Sequence, residues 1–317
     1  MSGFAWEKDL SDPQFLSRLS GEIRENEPLS KHTYYRIGGP ARALILPRSE
    51  SDLMWLASWI QAKKIPFHLL GLGSNYLVSD TGFDGVVIKL TRLDLGIELQ
   101  ANGLLRTGAS VAVSTLLRRA AQEGWGGLEF LAGVPGSIGG VIAMNAGTHL
   151  GEAKDRVRSV SAVQIFGPQA GVKLSFEKDQ LKFEYRKNLF LPEGSVVTEA
   201  FWRIDQADSK EVKATIDTTL SRRKSSQPVD YPSCGSVFKN PKAHQKHAWQ
   251  VIDQVGLRGH RIGDAQISEK HSNFIINLGA ASANDVYSLI QLAKKKVRSD
   301  LGIELEEEVR YLGTFEN

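Results

Sequence analysis

The sequence predicts an α+β fold of more than one folding unit, on three observations. Helical and strand signals alternate irregularly along the chain instead of repeating as regular strand–helix–strand units. The 317 residues exceed what one core ordinarily organises, at roughly 150 residues per domain. Glycine is concentrated in a run at 133–147 that ordinary helices and strands do not tolerate.

The chain opens on a polar segment, and residues 29–40 lead into a short apolar strand at 43–46. A helix follows. Ser49 with Asp52 three residues on makes a capping-box-like start, and Leu53, Leu56, Ala57 and Ile60 repeat at helical spacing before Lys63 and Lys64. Residues 67–70 read as a buried strand that delivers the loop Gly71-Leu72-Gly73-Ser74-Asn75, and 85–90 as another strand. The span 97–108 is a hairpin in which Asn102-Gly103 suits the two positive φ angles of a type I′ turn. Ser110 caps a helix carrying Val113, Leu116, Leu117 and Ala120, which Gly124 ends. β-Branched runs at 157–166, 171–176 and 195–204, separated by Gly and Pro, complete the first two-thirds.

Residues 208–221 form a helix with Val212, Ile216 and Leu220 on one face, and the polar stretch 221–228 marks a boundary. Beyond it come a strand at 236–238, a helix with Trp249, Ile252 and Val255 ended by Gly256, and a strand at 274–277. A helix begun near Ser282 carries Val286, Leu289, Ile290, Ala293 and Val297, and a last strand occupies 309–312.

Residues 133–147 read G-V-P-G-S-I-G-G-V-I-A-M-N-A-G, with no charged side chain. Such density implies unusual φ/ψ or very close approach of backbone to something else, and excludes an ordinary helix or strand. Turns that present successive N–H groups make a concavity for anions, and residues 71–75 are a second loop of that kind. Glycine turns between buried strands would read the same way, but two such loops in one chain favour a dinucleotide-sized ligand. Tyr76 stands where the common NAD fingerprint needs its third glycine, and no G-x-x-x-x-G-K-[ST] occurs, so a standard NAD fold or P-loop is disfavoured.

Hydrophobic and charged contents of 41% and 24% are those of an ordinary globular protein. Lys plus Arg number 39 against 36 acids, a net charge of +3 that does not argue for nucleic acid; any anion site has to be local. The start, Met1-Ser2-Gly3-Phe4-Ala5-Trp6, lacks the basic and apolar regions of a signal peptide, and no apolar run is long enough to span a bilayer. A soluble, cytoplasmic protein without nucleic-acid or membrane partners is expected. The single Cys234 excludes an intrachain disulfide, and no metal site is expected.

Seven stretches, at 33–40, 71–75, 133–147, 183–186, 235–241, 262–274 and 305–313, together resemble the UDP-N-acetylenolpyruvoylglucosamine reductase family, in the family's order. The resemblance implies a flavoenzyme of bacterial peptidoglycan synthesis with non-covalent FAD, NADPH as co-substrate, UDP-N-acetylglucosamine enolpyruvate as substrate, and a monomeric state. It implies an FAD-binding region of the vanillyl-alcohol-oxidase type, made of two α+β subdomains at 31–90 and 91–206, after an amino-terminal segment at 1–30. A smaller α+β substrate-binding domain at 207–317 would follow. The short intervals from Arg186 to Ser236 and from Ser236 to Glu308 resemble the family's shorter second type, which lacks an inserted loop bearing a substrate-covering tyrosine.

Residue by residue, the resemblance places Arg36, Gly71, Leu72, Gly73, Ser74, Asn75, Val134, Pro135, Gly139, Gly140, Asn145, Ala146 and Gly147 against the flavin. His149 has no such support and is read as structural, not as a covalent flavin attachment. Arg186 is implied as the permanent cation beside the substrate carboxylate, a task suited to a guanidinium that stays charged and binds carboxylates bidentately. Ser236 is implied as the proton donor to C2. A hydroxyl is a weak acid in water, but the acceptor is a strongly basic enolate, so transfer is favourable where geometry is held. Glu308 is implied as the carboxylate that completes the site; strand alternation points Glu307 the other way, and Glu306 belongs to the preceding turn. Tyr185, Lys224, Lys239, Asn240 and His271 are implied at the substrate, with Lys224, Asn240 and His271 on its diphosphate.

Three positions depart from the family's habit: Asn188 where serine is usual, Asp264 where glycine is usual, and Cys234 where alanine is common. Two other readings compete. An FAD oxidase or dehydrogenase of another small molecule explains the glycine loops but not Ser236, Lys239, Asn240 and Glu308 together, and a non-catalytic anion- or nucleotide-binding protein leaves Arg186, Ser236 and Glu308 idle.

Overall fold

A computed structural model of the chain describes residues 4–93, 95–241 and 244–315, so the first three residues of the amino-terminal stretch lie outside the described residues. Contacts divide the chain into two compact units. Unit 1 is Met1–Glu25, Ala43–Leu72 and Gly85–Leu220; unit 2 is Asn26–Arg42, Gly73–Asp84 and Ser221–Asn317. The division is discontinuous where the sequence predicts contiguous segments cut at 30, 90 and 206: two short early stretches belong with the carboxy-terminal unit.

In unit 1 the amino-terminal stretch is not merely polar. A 3₁₀ helix, Ala5–Ser11, and the short helix α1, Pro13–Leu16, bury Trp6, Leu10 and Phe15. Phe15 packs edge-on against Trp55 and Trp59, with centroids 4.4 and 4.8 Å away, the geometry that aromatic quadrupoles favour. Helix α2, Glu50–Lys63, starts as predicted: Asp52 N–H donates to Ser49 Oγ at 3.0 Å, and Asp52 Oδ2 accepts from Ser49 N–H at 3.2 Å. Phe67–Leu70 runs parallel to Phe83–Lys89.

A five-stranded antiparallel sheet in the order Lys173–Glu177, Val157–Gln164, Ser195–Arg203, Leu104–Gly108, Ile97–Leu99 forms the floor of this unit. Two local expectations fail here. Asn102 is not left-handed; Gly103 N–H donates to Gln100 O at 2.9 Å and Gly103 alone takes φ +80, the arrangement in which a β-turn is followed by a left-handed glycine. Helix α3, Val113–Glu123, begins at Ala112, while Ser110 Oγ donates to Leu93 O. A tertiary acceptor has captured the hydroxyl that local propensity assigns to the cap. Gly124 ends α3 at φ +70, as predicted.

Part of the glycine run is helical, contrary to expectation: α4 spans Ile138–Ala143 with Gly139 and Gly140 inside it. The reason is close packing. A Cβ on Gly139 would lie 3.1 Å from Ala109 Cβ, so glycine lets this helix settle on the end of the sheet. Helix α5, Ala153–Arg156, follows, and α6, Ser209–Ser226, continues through most of the stretch expected to be a boundary.

Unit 2 packs its own core from Tyr35, Ile37, Leu77, Val251, Ile252, Val286, Leu289 and Ile290 among others. It holds α7, Ala248–Gln254, and α8, Ala283–Leu301, whose Ser282–Asp285 capping box and left-handed Gly302 bracket the helix. Arg261–Ile262, Ala265–Ile267 and Ile275–Asn277 form an antiparallel meander, and Arg310–Leu312 pairs parallel with Tyr76–Val78. The expected strand at 236–238 is only an isolated bridge from Phe238 to Glu307. Among the described residues, no helix is long and apolar enough to cross a membrane.

Candidate active site

Within unit 1 the two glycine loops meet. A Cβ on Gly71 would lie 3.2 Å from Ser137 Oγ, tighter than ordinary packing, whereas one on Gly140 would meet nothing within 4 Å, so that face of α4 is open. Gly133 and Gly136 take φ +79 and +116, backbone that other residues rarely adopt. The N–H groups of Ile138 and Gly139 are already donated, to Val111 O at 3.0 Å and Ala109 O at 2.9 Å. These two amides therefore serve the fold and are not presented to an anion. Val134 donates to Leu131 O, and Ala146 to Val141 O, both at 2.9 Å.

Asn145 is fully buried, and its side chain is bonded inside the protein. Its Nδ2 donates to Glu152 Oε2 at 2.9 Å and to Glu184 O at 3.1 Å, while Oδ1 accepts from Lys154 N–H at 3.1 Å. Glu184 stands just before the two-residue turn Tyr185-Arg186 that joins Phe183–Glu184 to Lys187–Asn188. Arg186 takes φ +59, and its guanidinium carbon lies 5.1 Å from the centre of the Tyr185 ring, within cation–π range. Asn188 Nδ2 donates to Ala143 O at 2.9 Å, satisfying a carbonyl at the end of α4.

Unit 2 brings Ser236 and Glu308 together through the backbone. Gly235, at φ +83, turns the chain into the half-buried Ser236. The next residue, Val237, donates to Asn273 O at 2.8 Å and accepts from Glu308 N–H at 2.8 Å and Val309 N–H at 3.3 Å. Asn273 grips Phe238 from both sides, accepting its N–H at 2.9 Å and donating to its carbonyl at 2.8 Å. Asn75 Nδ2 donates to Glu308 O at 2.9 Å, and Asn75 O accepts from Arg310 N–H at 2.9 Å. Asn75 is thus bonded to the segment 308–310 that leads into the strand Arg310–Leu312. A Cβ on Gly73, at φ +70, would lie 2.1 Å from His32 O.

The remaining expected residues have assorted surroundings. Lys239 ion-pairs with Glu306, and Glu307 pairs with Lys294 of α8 at 2.6 Å. Asn240 Oδ1 accepts from Ala248 N–H at 3.1 Å, at the start of α7. Lys224 and Arg36 are exposed, and Lys270 Nζ donates to Lys224 O. His271 packs edge-on against Phe274, centroids 4.9 Å apart, and burial pushes its imidazole pKa down, so it is neutral near pH 7.

Residues 227–312 match the family described as UDP-N-acetylenolpyruvoylglucosamine reductase, C-terminal domain, and residues 41–167 match the FAD binding domain family. The UDP-N-acetylenolpyruvoylglucosamine reductase of Synechococcus sp. (strain JA-3-3Ab) is 43% identical over 303 residues, 95% of each chain. That of Geotalea uraniireducens (strain Rf4) is 41% identical over 300 residues, 95% of this chain and 97% of its own. The chain belongs to the UDP-N-acetylenolpyruvoylglucosamine reductase family. The crystal structure of the UDP-N-acetylenolpyruvylglucosamine reductase from Thermus caldophilus matches with a TM-score of 0.77 and 33% identity, over 93% of this chain and 100% of that one.

As a reductase of this family the protein is an FAD-containing oxidoreductase with an α+β fold. The residues present fit such a cofactor: the face over Gly140 carries no side chain, and Gly71 and Ser137 close to within contact distance beside it. Sequence reasoning missed the clasp made by Asn145 and Asn188. One signal was available, since an asparagine inside a glycine run is a candidate for left-handed backbone, and Asn145 takes φ +42.

Two chemical tests arise from unit 2. Burial pushes the Cys234 thiol up to about 12, and the Glu308 charge adds to the effect. Native protein is therefore expected to resist iodoacetamide at about pH 8 and the unfolded chain to be alkylated within minutes, read by intact mass. For His271 the folded pKa lies below the unfolded one, so the unfolded chain takes up the proton first as pH falls. Its contribution to stability is complete above about pH 6.5 and declines below it. Wild type should accordingly lose melting temperature relative to His271→Gln between about pH 7 and about pH 5.5; a parallel course of the two would contradict this.

Proposed function

We propose that this protein reduces UDP-N-acetylglucosamine enolpyruvate to UDP-N-acetylmuramate with electrons from NADPH, in peptidoglycan precursor synthesis. FAD, which the glycine loops at 71–75 and 133–147 would hold, would supply the hydride chemistry that links NADPH to C3 of the enolpyruvyl ether.

The rest falls to the chain's own residues. As hydride reaches C3, charge develops on C2 and the adjoining carboxylate, and fixed donors or cations aimed at developing charge are usually the largest catalytic contribution. Arg186 holds that carboxylate with a charge that pH does not remove. Ser236 gives its hydroxyl proton to C2, completing addition of hydride and proton across the double bond. Glu308 is the carboxylate that completes the site beside the same carbon. Lys224, Asn240 and the neutral His271 bind the diphosphate, and Lys239, balanced by Glu306, lends a second contact.

The observation that carries this reading is the backbone bond from Glu308 N–H to Val237 O, 2.8 Å, which fixes Ser236 and Glu308 as neighbours although 72 positions, 308 − 236, separate them in sequence. It is supported by family membership across 95% of the chain. The test is spectroscopic. Purified protein should show flavin absorbance that NADPH bleaches without oxygen and that UDP-N-acetylglucosamine enolpyruvate restores. Colourless protein that FAD does not reconstitute, or bleaching that this substrate cannot reverse, would overturn the proposal.

A further inference from the structure

We infer that Asn145 and Asn188 are positioning residues: together they clamp the Tyr185-Arg186 turn onto the end of α4 and so set where the Arg186 guanidinium stands. This rests on the role proposed above for Arg186.

The hairpin carrying Arg186 cannot hold itself. Its strands are two residues each, with only Phe183↔Asn188 and Glu184↔Lys187 in register, and isolated pairs of that size are not stable in water. Arg186 also adopts a left-handed φ of +59, a conformation that persists in a non-glycine residue only when the surroundings over-determine it. Two asparagines are part of those surroundings, beside the bond from Leu189 N–H to Lys182 O at 2.9 Å and the edge-on packing of Phe183 on Phe190. On the incoming strand, Asn145 Nδ2 holds Glu184 O at 3.1 Å. On the outgoing strand, Asn188 Nδ2 holds Ala143 O at 2.9 Å, and Asn188 Oδ1 accepts from Leu191 N–H at 3.3 Å.

Both anchors fall at one corner, because Ala143 ends α4 and Asn145 lies two residues later. Each leg of the hairpin is therefore tied to the same rigid place. Asn145 is fixed in turn. It is fully buried, both amide hydrogens and the carbonyl oxygen are engaged, and Glu152, one of its partners, is balanced by Lys154 Nζ at 2.8 Å. Removing the Asn145 side chain leaves the Glu184 carbonyl, the Glu152 carboxylate and the Lys154 amide short of a partner at once, the costly way to break a buried network. The corner also belongs to the glycine run, so the clamp ties the cation to the part of unit 1 that the FAD binding domain match covers.

The test uses the full-length, FAD-loaded protein with Asn188→Ala and Asn145→Gly, each alone and combined with Arg186→Ala. Glycine accepts φ +42, so Asn145→Gly removes the side chain without adding backbone strain. Displacement of a positioned group by about 1 Å costs about 100-fold, so flavin reoxidation by the enolpyruvyl substrate should slow about 10-fold in Asn188→Ala and about 100-fold in Asn145→Gly. Amide hydrogen exchange over residues 183–188 should quicken about 10-fold in both, a readout independent of turnover. In the Arg186→Ala background, Asn188→Ala should add no further slowing, because residues acting through one group are not additive.

Unchanged exchange in that hairpin, or an equal loss with and without Arg186, would overturn the clamp. Wild-type reoxidation in Arg186→Ala alone would instead sink the role given to Arg186, and the clamp's catalytic purpose with it. Asn188 is half-exposed, so Asn188→Ala carries the test if Asn145→Gly fails to fold.

Discussion

Ser236→Ala is expected to leave bleaching of the flavin by NADPH at its wild-type rate and to slow reoxidation by UDP-N-acetylglucosamine enolpyruvate by about 10²- to 10⁴-fold, the range that positioned proton transfer contributes. The two halves separate because only the second consumes a proton at C2. The structure makes the substitution a clean one. None of the bonds holding this segment uses the serine hydroxyl: Val237 to Asn273, Val237 to Glu308, and the two-sided grip of Asn273 on Phe238 are made by neighbouring groups. Stability should therefore stay within about 0.5 kcal/mol of wild type, as for substitutions away from packed or bonded features. Anaerobic stopped-flow absorbance reads both rates, and equal slowing in the two halves would remove Ser236 as the proton donor.

What the sequence made legible divides by the range of the interactions involved. The capping box at Ser49–Asp52, the helix start near Ser282 and the left-handed Gly124 are local signals, and each stands where predicted. Ser110 misled because its partner, Leu93 O, lies 17 residues back and outcompetes the local cap. The amino-terminal stretch hid its aromatic packing for the same reason, since Trp55 and Trp59 come from a different helix. In the site, the pairing of Glu308 with Val237 follows a family motif and no local rule, and Lys239 finds Glu306 across 67 residues. The strand expected at 236–238 came down to a bridge because its partners are a loop asparagine and the end of a glutamate run, not a full neighbouring strand.

Asn145 shows the limit most clearly. Its place in the glycine run predicts a ligand contact, yet the three groups that claim its amide, Glu152, Lys154 and Glu184, are invisible until the chain is folded.

The largest stability effect is expected at Trp202. It is fully buried in the strand Ser195–Arg203, lies opposite Leu105, and donates its indole N–H to Thr107 Oγ1 at 2.8 Å. Thr107, also fully buried, donates its own hydroxyl hydrogen bond to Ala200 O at 3.2 Å, so the indole closes a chain of bonds across two central strands. Trp202→Ala removes the ring and the donor and should cost about 3 to 5 kcal/mol in denaturant unfolding. Trp202→Phe keeps much of the ring volume and loses the donor, so about 1 to 3 kcal/mol is expected. The same strands lead to Ala109, whose N–H donates to Thr198 O at 2.7 Å and whose carbonyl anchors Gly139 at 2.9 Å. Loosening the sheet should therefore loosen the glycine run, and Trp202→Ala should release flavin, seen as rising flavin fluorescence, at lower denaturant than wild type. A Trp202→Ala protein that lost stability yet released flavin only at the wild-type denaturant concentration would show that α4 keeps its position without the sheet beneath it, and the connection from Trp202 through Ala109 to Gly139 would have to be abandoned.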